Sequence, residues 1–438
     1  MTASTGAVRF GTFDAEQHWR PTDLAELPRL AARGADPVVA GLDEMLFGLT
    51  SPDDLLITHN PLDPAQREAL GAAGFTFRHL AAHAGPAESV EEALLRDSAL
   101  RRSVAGQGGL SPFAVLPATT KLAREMQASH GLPPQETVVR VNGKAWSSAV
   151  ADRIGMPGAG QVVRSAKELE SAVDAVLGEA GDGIALVKDS YGVAGRGTLE
   201  IATPRALARL LRHLRGQEEH GARIEFVVQD RYDRDQDFSA HLVINQDGSW
   251  HRLGLQRMSN NGYRHAASLP VPHRLEVELA RREYGALLGA VAQELAAEGY
   301  FGPVGIDSMT LRDGSWVPVV EINARQSIGL LNLELDRRAR THGLRSHLWQ
   351  DDVSVAPGTG IDTLLAALAA DGLLYTGGGR AGVLPLVGSA ILAPRGRLVC
   401  AAFCPPEDFP SWRSYTRDCA RRAGIDAGRT SAAESAAP

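Results

Sequence analysis

The feature that most constrains this chain is the stretch from Phe301 to Gly329, FGPVGIDSMTLRDGSWVPVVEINARQSIG. It predicts two strands joined by a turn, because apolar and polar residues alternate on both sides of the turn signal RDGS. Side chains repeat every second residue along a strand, so Glu321 and Asn323 share a face that Asp307 can oppose. Carboxylate and amide oxygens suit Mg²⁺, with phosphate oxygens completing its coordination. The stretch therefore predicts a magnesium and phosphate site.

Two simpler interpretations of these acidic residues stay open. A hairpin can carry carboxylates on a solvated face, although Glu321 is embedded in the apolar run VPVVEINA, where an unpaired charge is costly. Arg325 is a candidate partner, and a buried Glu321–Arg325 ion pair would satisfy the carboxylate without a metal.

Length and composition narrow the class of protein. The 438 residues are enough for two or three domains, and a net charge of −7 without a basic patch disfavours nucleic acid as a partner. No apolar run approaches the ~20 residues that span a bilayer, and the N-terminus lacks the pattern of a secretory signal. The three cysteines fit a reducing compartment, and Cys400 and Cys404 are predicted to be buried thiols. We expect a cytoplasmic protein without a membrane partner.

The two ends of the chain predict structure but reveal no catalytic motif. The N-terminal region predicts an open parallel sheet with helices, including one helix over SVEEALLRDSALRRSVA. Near the C-terminus, DDVSVAPGTG is linker-like, GVLPLVGSAI and GRLVCAAFC predict strands, and WRSYTRDCARRAG predicts a terminal helix. An Ala/Ser-rich tail follows, and its composition is typical of disorder.

A lysine and a Gly-rich turn stand together in the middle of the chain. NGKAWSSAVADRIGMP predicts a helix with Asn142 as its N-cap, and GIALVKDSYGVAGRGTLEIA predicts a strand, a turn and a strand. Gly192, Gly195 and Gly197 would let backbone N–H groups approach phosphates, although glycine spacing alone is a weak signal. Lys188, at the end of the first strand, strengthens it because lysine is a point cation suited to phosphate.

Polar residues also follow the next strands. IEFVVQDRYDRDQDFSAHLVI predicts a strand, a polar turn and a strand, with Asp237 as a candidate ligand of ribose hydroxyls. The alternative is that the aspartates from Asp230 to Asp237 form a solvated turn. WHRLGLQRMSNNGYRHAAS predicts a further strand with a polar loop that carries Gln256, Arg257 and His265, and surface cations are the simpler interpretation of the last two.

Taken in order, these segments resemble the ATP-grasp superfamily of carboxylate–amine ligases. NGKAWSSAVADRIGMP resembles the helix that carries the family's first nucleotide lysine, and ALVKDSYGVAGRGTL resembles its second lysine strand and glycine-rich lid. VVQDRYDRDQDFSAHL is similar to the hinge and ribose segment, and GIDSMTL with VPVVEINAR is similar to the metal strands. The match covers roughly residues 140–335. Two of the chain's four lysines, Lys144 and Lys188, fall on the two expected sites.

The resemblance implies a role for each matched residue. Some members carry an arginine where this chain has Gly305, and Arg325 would take its place beside the reacting groups. The implied set comprises Lys144, Lys188, Gly192, Gly195, Gly197, Gln229, Asp230, Tyr232 and Asp237 for the nucleotide, Asp307, Glu321 and Asn323 for metal, and Arg325 and Arg257 for catalysis. A glutamate is common in the hinge, so Gln229 and Asp230 leave the adenine contacts open.

The resemblance also implies an α/β (α+β) fold of the ATP-grasp type. The expected parts are an N-terminal open α/β domain (1–140), a lid subdomain (141–228), a central antiparallel-sheet subdomain with the metal site (229–350) and a C-terminal α/β extension (351–426). Residues 427–438 are the expected disordered tail.

The implied reaction forms an amide or peptide bond between small molecules in natural-product biosynthesis. ATP and two Mg²⁺, or Mn²⁺, would activate a carboxylate as an acyl phosphate, an amine would displace phosphate, and ADP and phosphate would be released. Three alternatives remain: a ligase that loads an amino acid onto a carrier-protein thiol, an ATP-grasp small-molecule kinase and a non-enzymatic nucleotide-binding module. Besides the carboxylate and amine substrates, a carrier protein and a second copy of the chain stay open as partners.

Overall fold

The computed structural model of the chain describes residues 6–28, 37–85, 87–128, 131–178, 183–192 and 197–428. Within these ranges the strands form one parallel sheet and two antiparallel sheets. The three cysteines are buried free thiols, as predicted for Cys400 and Cys404. No helix within the same ranges is both long and apolar enough to cross a membrane.

The N-terminal sheet is parallel, which confirms the prediction for this region. Its strands are β1 (Val8–Phe10), β2 (Leu55–Thr58), β3 (Arg78–Ala81) and β4 (Leu110–Pro112). They pair in the order β3-β2-β1-β4. β2 and β4 lie on opposite sides of β1, so the order of the strands reverses at β1, and ligands of open parallel sheets commonly bind outside the carboxyl ends of the strands at such a point.

The same part of the chain also contains helices. They are α1 (Ala15–Trp19), α2 (Pro37–Ala40), a 3-10 helix (Gly41–Leu49), α3 (Pro64–Ala72), α4 (Val90–Arg96), α5 (Ser98–Val104), α6 (Pro117–Glu125) and α7 (Gln135–Val141). The single helix predicted over SVEEALLRDSALRRSVA is in fact the pair α4 and α5. Asp97 ends α4 and begins α5, because its carboxylate accepts from the backbone N–H groups of Ala99 and Leu100.

The second part of the chain forms a small antiparallel sheet with helices on it. Its elements are α8 (Lys144–Arg153), β5 (Gln161–Val163), α9 (Ala166–Leu177), β6 (Ala185–Asp189), β7 (Thr198–Ile201), α10 (Pro204–Glu219) and β8 (Phe226–Asp230). The strands pair in the order β5-β8-β6-β7. The prediction of Asn142 as the N-cap of α8 is wrong, because Gly143 holds that position. Asn142 instead ends α7, where its amide donates to the carbonyl of Val138.

The large sheet is antiparallel and begins with the central strands. Its first elements are β9 (Arg234–Ile244), β10 (Trp250–Asn261), β11 (Arg264–Pro270), α11 (His273–Arg281), α12 (Tyr284–Ala297), β12 (Gly302–Leu311), β13 (Trp316–Asn323) and α13 (Ile328–Arg340). These are followed by β14 (Arg345–Val355), α14 (Ile361–Ala370), β15 (Gly382–Pro385), β16 (Arg395–Cys404), a second 3-10 helix (Pro406–Asp408), α15 (Phe409–Arg422) and β17 (Ile425–Asp426). The order is β13-β12-β9-β10-β11-β14-β16-β15, with β17 on β14.

The C-terminal strands extend the central sheet. β14 pairs with β11 on one side and β16 on the other. Residues 351–355 of the segment predicted as a linker therefore belong to a strand, and that prediction is wrong for them. The domain boundary expected at residue 350 lies inside β14, and the one expected at residue 228 lies inside β8.

Buried carboxylates are a feature of the N-terminal region. Asp43, Glu44 and Glu91 are each at most 1% exposed. Burial raises the pKa of Glu91 to about 7, although the hydroxyl of Thr119 donates to one of its oxygens at 3.0 Å. Burial also raises the pKa of Asp43, where the charges of Glu44 and Glu91 add to the effect. Burial therefore favours the protonated, neutral form of these carboxyl groups in the folded protein.

Glu91 therefore makes stability depend on pH. When folding raises the pKa of a carboxyl group, the contribution of that group to the free energy of unfolding is fully present below its ordinary pKa, here 4.5. This contribution is lost as pH rises through the pKa of the folded state, here about 7. We expect Glu91→Gln to be more stable than the native chain at pH 8, by on the order of 3 kcal/mol. The difference should vanish near pH 4.5. Urea unfolding at both pH values measures it, with Glu68→Gln as control because Glu68 is exposed on α3. Parallel pH profiles for Glu91→Gln and the native chain would contradict the prediction.

Candidate functional site

The hairpin of β12 and β13 brings the three predicted metal ligands together. Asp307 pairs directly with Glu321, and Asn323 lies two residues further along the same face. The Asn323 amide N–H donates to an Asp307 oxygen at 3.0 Å, which leaves the amide oxygen for another partner. The pairing shifts register between Asp307 and Met309, immediately after the first carboxylate. Two carboxylates and an amide oxygen therefore share one patch of the sheet.

The two carboxylates differ in their affinity for protons. Burial, helped by the charge of Glu321, raises the pKa of Asp307 to about 7. Burial acts in the same direction on Glu321, but the ammonium of Lys144 outweighs it and holds the pKa of Glu321 below its ordinary value. A second cation beside Asp307 would favour its charged form in the same way.

Lys144 connects this patch with the Gly-rich turn. It is the first residue of α8, and its backbone N–H donates to the carbonyl of Ser190. Its ammonium lies 2.9 Å from a Glu321 oxygen and donates to the carbonyl of Gly192 at 2.9 Å. Burial lowers the pKa of Lys144, but the carboxylate of Glu321 more than reverses this, so the net shift is upward. Glu321 therefore forms its ion pair with Lys144, and not with Arg325 as the alternative interpretation of the sequence had it.

Lys188 is a half-buried cation with a neutral partner. It lies in β6, and its ammonium donates to the side-chain oxygen of Gln229 at 2.5 Å. No carboxylate among the described residues lies within ion-pair distance of it. Burial lowers the pKa of Lys188 to about 8, although the more distant charge of Glu321 acts against this. Such a site favours an anion that enters from outside the chain.

The Gly-rich turn needs its glycines for a close backbone approach. A Cβ on Gly192 would lie 2.7 Å from the Cα of Gly197, which is shorter than real Cβ contacts. Both positions therefore exclude larger residues without a shift of the backbone. The third predicted glycine, Gly195, lies outside the described residues.

The predicted nucleotide segment leaves β8 and enters β9. Gln229, besides accepting from Lys188, donates to the carbonyl of Gly158 at 2.8 Å. Asp230 is exposed at the end of β8, and burial raises the pKa of the half-buried Tyr232.

Asp237 belongs to β9 and not to a solvated turn. One of its oxygens accepts from Asn260 at 2.8 Å and from Arg234 at 3.1 Å. Asp237 pairs with Met309, two residues beyond Asp307 on the neighbouring strand, so both carboxylates face the same side of the sheet. The interpretation as a solvated turn is therefore wrong for Asp237.

Arg325 pairs with a residue that the sequence did not single out. Two of its guanidinium nitrogens donate to one oxygen of Glu16, the Nε at 3.1 Å, and a third donates to the carbonyl of Gln326. The guanidinium carbon lies 5.6 Å from the centre of the Phe113 ring. Burial lowers the pKa of Arg325, but Glu16 more than compensates, and the net shift is upward. Glu16 precedes Arg325 by 309 residues, so no local pattern could have paired them.

Arg257 does not join this cluster. It lies within β10 and pairs with Phe238, which in turn pairs with Ser308 on β12. Ser308 directly follows Asp307, and successive residues of a strand point to opposite faces. The sequence prediction that Arg257 belongs to the site is therefore wrong, because strand register puts its side chain on the other face of the sheet.

Gln256 and His265 also lie on strands, and not in the predicted loop. The Gln256 oxygen accepts from Asn332 at 2.7 Å. The His265 ring lies within hydrogen-bond distance of the Ser268 hydroxyl and the Gln350 amide, and burial lowers its pKa to about 4. These contacts give both residues structural partners.

The composition of the site fits a phosphate group held by a divalent cation. No cluster of three or more His, Cys, Asp or Glu side chains suited to a metal occurs among the described residues. Asp307 and Glu321 are only two carboxylates, so a cation here would need the Asn323 amide oxygen and ligands from outside the chain. Phosphate oxygens are such ligands, and Lys144 and Lys188 supply positive charge for them.

Comparison with known proteins identifies structures but no sequence family. No family model and no curated protein sequence matches the chain. A biotin carboxylase domain from Hydrogenobacter thermophilus 2-oxoglutarate carboxylase, solved with MgADP, ADP and bicarbonate, has a TM-score of 0.54 at 13% identity, over 92% of this chain and 86% of that chain. N5-carboxyaminoimidazole synthetase from Staphylococcus aureus has a TM-score of 0.54 at 9% identity, over 94% and 97%. L-amino acid ligase from Bacillus licheniformis has a TM-score of 0.53 at 12% identity, over 98% and 100%.

These similarities confirm the fold that the sequence resemblance implied. The chain has the ATP-grasp fold: a parallel N-terminal sheet, a small antiparallel sheet and a large antiparallel central sheet. Identities of 9–13% identify the fold alone, so the reaction has to be argued from the residues of the site.

Proposed function

We propose that the chain is an ATP-dependent ligase that joins a small-molecule carboxylate to an amine and releases ADP and phosphate. One observation carries the proposal: Asp307, Glu321 and Asn323 share a face of the central sheet beside two half-buried lysines, Lys144 and Lys188. Within the part of the chain that the structure describes, no carboxylate pairs with Lys188, so an anionic ligand would complete its surroundings. The similarity to the B. licheniformis L-amino acid ligase, which spans that whole chain, supports the ligase class.

In this proposal the nucleotide lies between the small sheet and the central sheet. Lys144, Lys188 and the backbone at Gly192, Gly195 and Gly197 hold its phosphates. Gln229, Asp230 and Tyr232 contact the adenine, and Asp237 binds ribose hydroxyls. Asp307, Glu321 and Asn323 hold Mg²⁺, or Mn²⁺ in its place. Bound MgATP would supply the γ-phosphoryl group that activates the carboxylate as an acyl phosphate.

The remaining steps depend on stabilisation of a negatively charged oxyanion and on exclusion of water. Arg325 lies within the same network of charges as Glu321 and Asp307, and it stabilises the oxyanion that forms when the amine attacks. Exclusion of water would protect the activated carboxylate from hydrolysis. No protein nucleophile is required.

The product assay tests the proposal and separates it from its alternatives. MgATP is incubated with amino acids singly and in pairs, and ADP, phosphate and product masses are recorded. The proposal predicts ADP release that requires two partners, with a product mass equal to their sum less water. A phosphorylated product from one partner would indicate a kinase, a requirement for a carrier-protein thiol would indicate the loading ligase, and bound ATP without turnover would leave a binding module.

Two arginines give a direct test of the site's boundaries. Arg325→Gln is expected to lower the kcat for ADP release by about 100-fold or more, because one donor to a developing oxyanion is lost. Arg257→Gln, on the other face of the sheet, should change kcat and the KM for ATP by less than about 3-fold. Equal losses in the two variants would contradict the assignment of faces.

A further inference from the structure

Glu16 lies at the point where the N-terminal sheet meets the candidate site. It is carried by α1, a short helix that follows β1, and its side chain is 7% exposed. Beyond the carboxyl ends of β1 and β4, the rings of Phe13 and Phe113 stack with their centres 4.0 Å apart. Arg325 lies over Phe113 in the same place. Glu16 therefore lies at this end of the N-terminal sheet and contacts Arg325 of the candidate site.

The Glu16–Arg325 pair is incompletely satisfied on both sides. One Glu16 oxygen accepts both of the donors that Arg325 sends to it, whereas the other oxygen, Oε2, is buried and has no hydrogen-bond partner among the described residues. Of the five guanidinium N–H groups, three donate in the described structure, two to Glu16 and one to Gln326. A buried carboxylate oxygen without a donor is costly, and an entering group can remove that cost.

The unused groups have a definite chemical complement. The free N–H groups of Arg325 can donate to a carboxylate, and the free oxygen of Glu16 can accept from an ammonium group. An arginine alone would bind any carboxylate, but an arginine held by a glutamate with one free oxygen favours a molecule that carries both charges close together. Zwitterionic α-amino acids have this arrangement, with the ammonium one carbon from the carboxylate.

We infer that Glu16 is a specificity residue that accepts the α-ammonium group of an amino-acid substrate whose carboxylate lies at Arg325. The inference rests on the proposed ligase function and adds to it the class of acid and the residue that selects it. Glu16 lies outside the segments that resemble the ATP-grasp motifs, and its role would distinguish α-amino acids from simple carboxylic acids of the same shape.

The test compares amino acids with their deamino counterparts. The pairs are alanine and propanoate, leucine and 4-methylpentanoate, phenylalanine and 3-phenylpropanoate, and arginine and 5-guanidinopentanoate. ADP release and the KM for each acid are measured at saturating MgATP for the native chain and for Glu16→Gln. The native chain should prefer the amino acid of at least one pair. Glu16→Gln should raise the KM for that amino acid by about 10- to 100-fold, the loss expected for a hydrogen bond between charged groups, and change the KM for the deamino acid less than about 3-fold.

The controls separate recognition from support of Arg325. Asp351→Asn removes another buried carboxylate paired with arginines, Arg413 and Arg417, in the C-terminal part and should leave the preference intact. If Glu16 only positions Arg325, or if Oε2 only binds water, Glu16→Gln will affect both members of each pair equally and the inference is overturned. No preference in the native chain, or no response to any of the four amino acids, overturns it as well. MgATP binding, measured on the same samples without acid, reports separately on the proposed function.

Discussion

Glu321→Gln is expected to lower the rate of ADP formation by on the order of 10³-fold, because charge stabilisation in metal-assisted phosphoryl transfer amounts to several kcal/mol. Glu321 is opposite Asp307 in the hairpin and is also the ion-pair partner of Lys144. The amide keeps the size of the side chain but removes its charge, so both the proposed metal ligand and the partner of Lys144 are lost. Steady-state ADP release at saturating MgATP measures the effect.

Glu294→Gln is the matched control for this substitution. Glu294 also forms an ion pair, with Arg153 at 2.7 Å, but on the helices α12 and α8 away from the proposed ligands. Its variant should retain activity within about 3-fold. Circular dichroism and melting temperature establish that Glu321→Gln is folded. Normal turnover in a folded Glu321→Gln variant would remove the metal assignment.

Lys188→Met is expected to weaken ATP binding by about 100-fold, because the half-buried ammonium that we propose to pair with phosphate is lost. The same substitution should raise the melting temperature of the chain without nucleotide. Burial lowers the pKa of Lys188 to about 8, so folding opposes the charged form that is present at neutral pH, and methionine removes that cost. Opposite changes in affinity and stability are a signature that a purely structural lysine would not give.

Titration calorimetry with MgATP and thermal unfolding on the same samples measure the two effects. Lys167→Met is the control, because Lys167 is exposed on α9 of the same small sheet. Its affinity for ATP should be unchanged. Unaltered ATP affinity in a folded Lys188→Met variant would show that the nucleotide lies elsewhere.

The parts of the site that the sequence predicted are those defined by local pattern. Strand alternation and one turn signal were enough to bring Asp307, Glu321 and Asn323 to one face. The lysines could be singled out because the chain has only four of them. Lys144 directly follows Gly143 at the start of α8, and Lys188 stands near the end of β6, just before the Gly-rich turn. Each of these signals lies within about 20 residues of sequence.

The parts that the sequence missed depend on contacts between distant segments. Glu16 meets Arg325 only because α1 packs against the end of β13, and nothing near Glu16 in the sequence indicates this. The assignment of Arg257 to the site was wrong. The face on which its side chain lies is decided by the register of β10 with β9, and the sequence of a single strand does not reveal that register. Residues 351–355 were predicted as linker, but they form a strand because β11 and β16 pair with β14 on both sides.

The most direct test of the central claim follows oxygen from the carboxylate to phosphate. Amino acids labelled with ¹⁸O in the carboxyl group are incubated with the chain and MgATP, and the phosphate that is released is analysed by mass spectrometry. If the face of Asp307, Glu321 and Asn323 supports transfer of the γ-phosphoryl group to a carboxylate, the released phosphate carries one ¹⁸O atom. Phosphate without ¹⁸O would show that water or another group accepts the phosphoryl group, and would contradict the account.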